Sequence, residues 1–391
     1  MSRIKLQLCF TLTIALLGSI SCMQAEKISL DTSGAEGALI GLVAGDLNLL
    51  GGGEADNYTG FRFVAAGNGA FWHSEDGKIW EPAYTDESGN VKAIAFGNGI
   101  WVAVGADSAG SCKIWTSSTG KGWNSMDCPS GGNNEPRTGV AYGNGMFIVT
   151  GGKEGTSPNV QAVILRSYDG QSWTRYYTPP SSDQEMASVA YIVSTKHFVV
   201  AGLTNSGGFA GSGSDAFLSS DGSNWTPIDL PSSADDIRIQ AGPGSTLFVY
   251  GKYHDSGVIN QRFETTTVSG NSISDWSPSG NLPNPNDYIY SFAYGKGTHV
   301  AVGNGYSDCK IYYSQSGVAW APATAPFGCA SGGGHTWSSV VYSPASSLFV
   351  AGGISYDTGI TFAWSDNGIN WNISSAPGAS SQIPTVIAVA K

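Results

Sequence analysis

The heptapeptide Ser167-Tyr-Asp-Gly-Gln-Ser-Trp173 recurs along this chain of 391 residues. Ser74–Trp80 and Ser219–Trp225 repeat its serine, aspartate, glycine and tryptophan, and weaker copies end at Trp123, Trp276, Trp320 and Trp371. Consecutive closing tryptophans are 43 to 52 residues apart. A period of this size predicts an array of similar units that share one body.

Each unit reads as a four-stranded antiparallel meander. Val91–Phe96 and Ile100–Val104 are apolar runs joined by Gly97-Asn-Gly99, which is a strong signal for a tight hairpin. Lys113–Ser117 supplies the third strand. The repeated serine-glycine turn follows, and a strand through Trp123 supplies the fourth. The second strands read Val-Ala-Val-Gly or close to it, and this continuous apolar content predicts burial between stacked sheets.

The two ends of the repeat region indicate how the array closes. Phe61–Ala66 matches a second strand with no first strand before it, and Pro384–Lys391 matches a first strand with no second strand after it. If the last segment supplies the missing strand, no sheet edge is left open. The sequence therefore predicts an all-β, seven-bladed β-propeller of four-stranded blades over residues 58–391, with the first blade closed by the C-terminal strand.

The repeated turn resembles the Asp-box (bacterial neuraminidase repeat) of sialidase-like β-propellers, in a form one residue shorter between aspartate and tryptophan. A turn carboxylate can accept backbone N–H bonds, and glycine takes the positive φ. Thr119, Ser316 and Asn367 replace the aspartate in weaker copies, so we expect an architectural role, with a regular calcium site as the alternative. The residues expected to have this architectural role are Ser74, Asp76, Trp80, Trp123, Ser167, Asp169, Trp173, Ser219, Asp221, Trp225, Trp320 and Trp371.

The N-terminal segment predicts export. Arg3 and Lys5 precede the apolar run Leu6–Leu17, and small residues precede Cys22. The segment resembles a bacterial lipoprotein signal, although Ser19 stands where the usual box has leucine. This resemblance implies that Cys22 is lipidated and becomes the mature N-terminus. Ordinary secretion with cleavage nearby is the alternative.

The expected organisation is a signal over residues 1–22, a tether over residues 23–57 and a single propeller domain beyond it. The formal charge of −11 becomes −13 once Arg3 and Lys5 are removed with the signal. This acidity argues against nucleic acid as a partner, because phosphate binding needs clustered lysine and arginine. We expect a monomer, periplasmic or at the cell surface, that meets the membrane only through its lipid.

Four cysteines remain in the predicted propeller. Cys112 and Cys128 bracket one repeat, and Cys309 and Cys329 bracket another. We expect the disulfides Cys112–Cys128 and Cys309–Cys329, although four cysteines permit three pairings. A metal site is the competing interpretation, but neither pair has a CxxC spacing or a nearby histidine. No metal or cofactor is expected.

Function is expected on the face that carries the variable loops. Turns between first and second strands and between third and fourth strands are short and regular, whereas the second-to-third loops, such as Lys252–Asn260, and the blade connections vary widely. Variable loops on a rigid scaffold are the usual place for binding. This face carries the candidate ligand residues Arg137, Glu154, His254, Asp255, His335, Trp337 and Tyr356. The alternative for each is a solvated, turn-capping or packing side chain with no part in binding.

Three classes of function remain open. The resemblance implies sialidase-like hydrolysis, which in the family uses an arginine cluster, a Tyr–Glu nucleophile pair and an aspartate. The chain beyond the signal has six arginines and lacks the family's Arg-Ile-Pro signature; Phe61-Arg-Phe63 stands near the start instead. We therefore predict a binding module for a protein or glycan, with hydrolase and assembly or scaffold factor as alternatives.

The export interpretation predicts that Cys22→Ala abolishes lipidation. Cells expressing the wild-type chain and fed a clickable fatty-acid analogue should label the protein, and the variant should carry no label. Label that persists on the variant would refute lipidation at Cys22.

Overall fold

A computed structural model describes thirteen parts of the chain. They are residue 60 and residues 62–129, 137–154, 161–178, 184–204, 216–230, 234–255, 258–284, 287–305, 309–324, 335–355, 359–374 and 384–390. All regular secondary-structure elements in these parts are β-strands. These parts contain no helix that is long and apolar enough to cross a membrane. The predicted signal and tether lie outside the described residues, and so do Cys22 and Cys329.

The described strands form six antiparallel sheets. The first sheet has the order β27-β1-β2-β3-β4-β5. Its strands are β1 (Phe63–Ser74), β2 (Glu81–Gly97), β3 (Ile100–Ala106), β4 (Cys112–Ser117), β5 (Asn124–Asp127) and β27 (Pro384–Val389). The first sheet is curled, because β27 and β2 contact each other although both pair with β1.

The other five sheets each follow chain order. The second comprises β6 (Gly139–Gly143), β7 (Met146–Glu154), β8 (Gln161–Ser167) and β9 (Thr174–Tyr177). The third comprises β10 (Gln184–Ile192), β11 (His197–Thr204), β12 (Ala216–Ser219) and β13 (Thr226–Ile228). The fourth comprises β14 (Ala234–Ala241), β15 (Thr246–Asp255), β16 (Val258–Ser269), β17 (Ser272–Ile273) and β18 (Ser277–Asn281). The fifth comprises β19 (Tyr288–Gly295), β20 (Thr298–Asn304), β21 (Cys309–Ser314) and β22 (Ala321–Pro322), and the sixth β23 (His335–Ser343), β24 (Leu348–Ser355), β25 (Gly359–Ser365) and β26 (Asn372–Ile373).

The predicted four-stranded meander is confirmed in four of these sheets, but one predicted loop is wrong. Lys252–Asn260 was expected as a variable loop, whereas β15 continues to Asp255 and β16 begins at Val258. The ladder extends to the pairs His254↔Ile259 and Asp255↔Val258. The β-branched residues Val258 and Ile259 favour a strand, so the two strands extend through most of the expected loop.

The sheets contact one another in a cycle. First strands of successive sheets touch: β2 and β6, β6 and β10, β10 and β14, then β19 and β23. β15 contacts β19, and β23 contacts β27, which returns the series to the first sheet. Strand β27 pairs with β1 from Phe63↔Val389 to Gly67↔Pro384. The C-terminal strand therefore joins the last sheet to the first, an arrangement consistent with a β-propeller.

A β-bulge near the start of most first strands explains the glycine of the Val-Ala-Val-Gly pattern. The register between β2 and β3 slips between Val91 and Ala93, so that Lys92 is the extra residue. Opposite the slip, a Cβ on Gly105 would lie 2.0 Å from the backbone oxygen of Asn90. The same close approach recurs at the bulges of β19 and β23. Only glycine fits where the bulged backbone approaches so closely.

Hydroxyl groups link the first strands across the sheet junctions. Ser291 Oγ accepts the Val340 N–H at 3.0 Å, and Ser339 Oγ accepts the Ile387 N–H at 3.0 Å. Thr385 Oγ1 donates to the Val91 oxygen at 2.8 Å. Because each bond ends on a neighbouring first strand, these side chains form what we call the hydroxyl belt, which fixes the sheets against one another.

The repeated turn is a closed network of hydrogen bonds. In the second sheet, Ser167 Oγ accepts the Gly170 N–H at 2.8 Å and donates to Asp169 Oδ1 at 2.9 Å. Asp169 Oδ1 also accepts the N–H groups of Gln171 and Ser172, at 2.8 and 2.7 Å. The hydrogen bond from the Ser172 N–H is the main reason why the pKa of Asp169 falls to about 2.

Weaker copies keep this network with other side chains. Asn367 Oδ1 accepts the N–H groups of Ile369 and Asn370, both at 2.9 Å, in place of a carboxylate. Ser316 Oγ accepts two turn N–H groups at 3.2 Å. The fourth sheet departs from the pattern: its turn is the β16–β17 hairpin, and Trp276 Nε1 donates to the Asp229 oxygen at 2.8 Å.

The closing tryptophan packs on the preceding sheet. Trp80 stacks on Phe362 of β25 with ring centroids 4.0 Å apart, and Trp320 stacks on Phe263 of β16 at 4.4 Å. Trp80 is 1% exposed. The turns therefore bury their tryptophans between adjacent sheets, including the junction between the sixth sheet and the first.

Replacing the bulge glycine should destabilise the fold. We expect Gly105→Ala to lower the free energy of unfolding by at least about 2 kcal/mol, because the methyl group meets a backbone oxygen that cannot rotate away. Urea unfolding followed by tryptophan fluorescence measures the loss. Gly122→Ala is the control, since its Cβ would meet nothing within 4 Å; equal midpoints for the two variants would contradict the steric explanation.

The turn aspartate should make stability depend on acid pH. The pKa of Asp169 lies near 2 in the folded chain against an ordinary value of 3.8. Its charged form therefore stabilises the fold above about pH 4, and this contribution disappears as the pH falls towards 2. Asp169→Asn should lower the urea midpoint at pH 6 and differ less from wild type at pH 2.5. Asn367→Asp is the reciprocal variant and should gain the acid dependence; parallel pH profiles for all three proteins would refute it.

Candidate ligand-binding face

Two tyrosines stand exposed at the start of an otherwise apolar first strand. Tyr288 is 41% and Tyr290 36% exposed, whereas Ile289 between them is 5% exposed and packs into the core. The register of β19 with β20 slips between Ile289 and Ser291, so Tyr290 is the bulged residue. Bulges re-aim side chains and are frequent beside functional sites. Both rings lie towards the variable-loop end of the strand.

Basic side chains occupy comparable positions on other first strands. Lys92 is the exposed bulge residue of β2. Arg238 is exposed on β14 directly after a register slip that begins at Asp235. We call the variable-loop ends of the first strands the mouth, defined by Lys92, Arg238, Tyr288 and Tyr290. This set combines aromatic surface with positive charge.

A buried carboxylate fixes the backbone beside these tyrosines. Asp287 is 0% exposed, and the Tyr312 hydroxyl donates to its carboxylate. Asn284 Nδ2 donates to Asp287 Oδ1 at 2.8 Å, and Lys310 Nζ lies 4.0 Å from Oδ2. Because a buried polar group needs such partners, the residue that precedes Tyr288 is held in one position.

Only two of the predicted ligand residues have described side chains, and both are buried. Arg137 is 1% exposed; its guanidinium donates to the Gly151 oxygen and its backbone N–H to the Gly105 oxygen. Trp337 is 3% exposed and packs in the cluster between the fifth and sixth sheets. Trp337 thus takes the packing role that was its alternative, and Arg137 binds backbone rather than solvent.

The remaining predicted ligand residues are described only in part or not at all. The backbones of Glu154, His254, Asp255 and His335 lie at the variable-loop ends of β7, β15 and β23. Their side chains lie outside the described part of the chain, and so does Tyr356. The mouth tyrosines were missed in the sequence. Their signal is the pattern Tyr-Ile-Tyr, which places two large side chains on one side of a strand.

A disulfide supports one variable loop. Cys112 and Cys128 are bonded, with Cα atoms 5.6 Å apart, which confirms this predicted pair. The loop before Cys112 is closed by Asp107, whose Oδ1 accepts the N–H groups of Ala109 and Ser111 at 2.9 and 2.8 Å. The pair predicted for Cys309 involves a residue outside the described ranges. The described residues contain no cluster of three or more potential metal-binding side chains.

Comparisons with known proteins bear on the fold alone. No protein-family model matches this chain, and no curated protein sequence matches it either. A chain of a nidogen/laminin complex matches over 85% of this chain and 99% of its own length, with 8% identity and a TM-score of 0.48. A GH74 enzyme of Niastella koreensis matches over 86% of this chain and 54% of its own, with 13% identity and a TM-score of 0.51.

A prolyl endopeptidase structure matches over 93% of this chain, with 10% identity and a TM-score of 0.52, and this chain spans 61% of its length. The GH74 enzyme and the endopeptidase contain β-propellers, and at these identities the similarity extends to architecture only. The described chain therefore has a β-propeller-type fold.

Proposed function

We propose that the six sheets make seven blades, the first sheet supplying two of them. Seven apolar clusters support this count among the described residues. Six lie between successive sheets, including the return from the sixth sheet to the first. The seventh lies within the first sheet, where Val64 and Phe71 of β1 pack against Ile94 of β2 and Trp101 of β3. A sheet that buries a core against itself acts as two blades.

We infer that the protein is a binding module whose ligand occupies the mouth. The observation that carries this function is the exposure of Tyr288 and Tyr290 at a bulge, behind which Asp287 is buried and bonded. Exposed, rigidly held tyrosines offer contact area at a low entropic cost. Lys92 and Arg238 add the charge that binds carboxylates. The chemistry favours a glycan that carries carboxylate groups.

The described arginines favour binding over sialidase-like hydrolysis. Arg137 is buried against the Gly151 oxygen, and Arg166 donates to the Asp221 oxygen at 2.9 Å, on the regular-turn face. Arg166 also lies over the rings of Tyr168 and Tyr176. Both guanidiniums are thus engaged by groups of the protein itself, so these two side chains do not form the cluster that a substrate carboxylate would need.

We further propose that the propeller acts as an exported, lipid-anchored monomer. The support is the basic and apolar order of the N-terminal segment before Cys22 and a bonded cysteine pair, which is typical of oxidising compartments. A protein ligand and a scaffold role are the remaining alternatives for the mouth.

The binding function predicts that Tyr290→Ala weakens glycan binding at least tenfold, or about 1.4 kcal/mol. The detergent-solubilised full chain would be applied to an array of sialylated, uronate-containing and neutral glycans. The wild type should prefer the carboxylate-bearing ones. Tyr177→Ala is the matched control and should bind as wild type. It removes a 41% exposed tyrosine from β9, the fourth strand of the second sheet.

Other outcomes would overturn this function. Binding to no glycan, or equal binding by the Tyr290→Ala variant, would exclude the mouth as a glycan site. Turnover of a fluorogenic sialic acid substrate would instead establish hydrolysis.

A further inference from the structure

A cavity of about 400 Å³ opens on the face opposite the mouth. It lies at the junction of the fifth and sixth sheets, between the turn that precedes β20, the turn that follows β21 and the turn that follows β25. Its lining consists of Lys296, Thr298, Gln315, Asp366, Asn367 and Ile369. This is the face of the short, regular turns, for which the sequence predicts no ligand.

At the junction that holds the cavity, a lysine stands where two other junctions have an asparagine. At two earlier junctions, the turn after the first strand bonds to the next sheet through asparagine: Asn98 Nδ2 donates to the Tyr168 oxygen at 3.2 Å, and Asn144 Nδ2 to the Ser220 oxygen at 3.1 Å. At this junction Lys296 Nζ donates to the Asp366 oxygen at 3.1 Å. The longer lysine side chain makes the equivalent bond at this junction, and it is part of the lining of the cavity.

The polar groups that line the cavity are largely unused. Asn367 Oδ1 accepts the turn N–H groups, so the NH₂ group of this side chain is available to a ligand. Within the described chain, the Asp366 carboxylate, the Gln315 amide and the Thr298 hydroxyl make no hydrogen bond. Lys296 retains two of its three N–H donors. The cavity therefore presents donors and acceptors together around one apolar wall, Ile369.

We propose that this cavity is a second binding site, which takes a neutral hexose or N-acetylhexosamine unit of a glycan. A sugar ring carries adjacent hydroxyl groups that both donate and accept, and the lining offers both partners. The volume falls within the range of small-molecule sites, about 300 to 1,000 Å³. The carboxylate of Asp366 offsets the charge of Lys296, which disfavours a phosphate or another strongly anionic ligand.

Titration of the full chain with the methyl glycosides of glucose, galactose and N-acetylglucosamine tests the site, with saturation-transfer NMR as the readout. At least one glycoside should bind, and Asp366→Ala and Gln315→Ala should each weaken its binding at least tenfold. Glu75→Ala is the matched control, because Glu75 is an exposed acidic residue at the equivalent turn position of the first sheet. Lys296→Asn removes the spare ammonium donors from the lining and should weaken binding at least tenfold without lowering the melting temperature.

The outcomes separate this site from the mouth. Tyr290→Ala should leave the neutral glycoside bound as in wild type, whatever its effect on the carboxylate-bearing glycans. Absence of binding by all three glycosides, or undiminished binding in both Asp366→Ala and Gln315→Ala, would overturn the proposal. If Tyr290→Ala alone abolished binding of the neutral glycoside, the binding site of that ligand would be the mouth and not the cavity.

Discussion

The architecture depends on how closely two backbones approach at the bulge of most first strands. A bulged strand brings the carbonyl of Asn90 to a point where the opposing residue has no space for a Cβ, and Gly105 occupies that place. The slip turns the following hydroxyl side chains towards the neighbouring sheet, where Ser291 and Ser339 bond to its backbone. Bulge, glycine and hydroxyl belt are thus parts of one arrangement.

The two faces of the protein follow from this arrangement. On one face, the serine and the aspartate or its replacement form hydrogen bonds within most of the turns, and the tryptophans pack against a neighbouring sheet. On the other, the bulges direct Lys92 and Tyr290 away from the sheet ladder. The regular-turn face is not identical at every junction, since Lys296 takes the place of asparagine beside the cavity between the fifth and sixth sheets.

Much of the fold could be predicted from the sequence, because its signals are local. Gly97-Asn-Gly99 marked a hairpin, and the Cys112–Cys128 pair bracketed a single unit. The bulges could not be predicted, since a register slip depends on both strands and leaves each apolar pattern intact. For Trp337 and Arg137 the sequence left a ligand role and a packing role both open, because a loop residue and a junction residue have the same local sequence signature. The cavity at Lys296 depends on a distance between two turns that the chain separates by 70 positions.

The pairing of β1 with β27 has a consequence for the order of events during synthesis. Phe63 leaves the ribosome among the first residues of the propeller, whereas its partner Val389 is almost the last. Until then, the edge of β1 that carries Phe63 to Ala66 is apolar and unpaired, which is the kind of edge that recruits other chains. A chain cut short by a few residues would therefore leave this apolar edge exposed as well as lose a terminal strand, and a chaperone that shields the edge during synthesis would act at a junction that cannot close early.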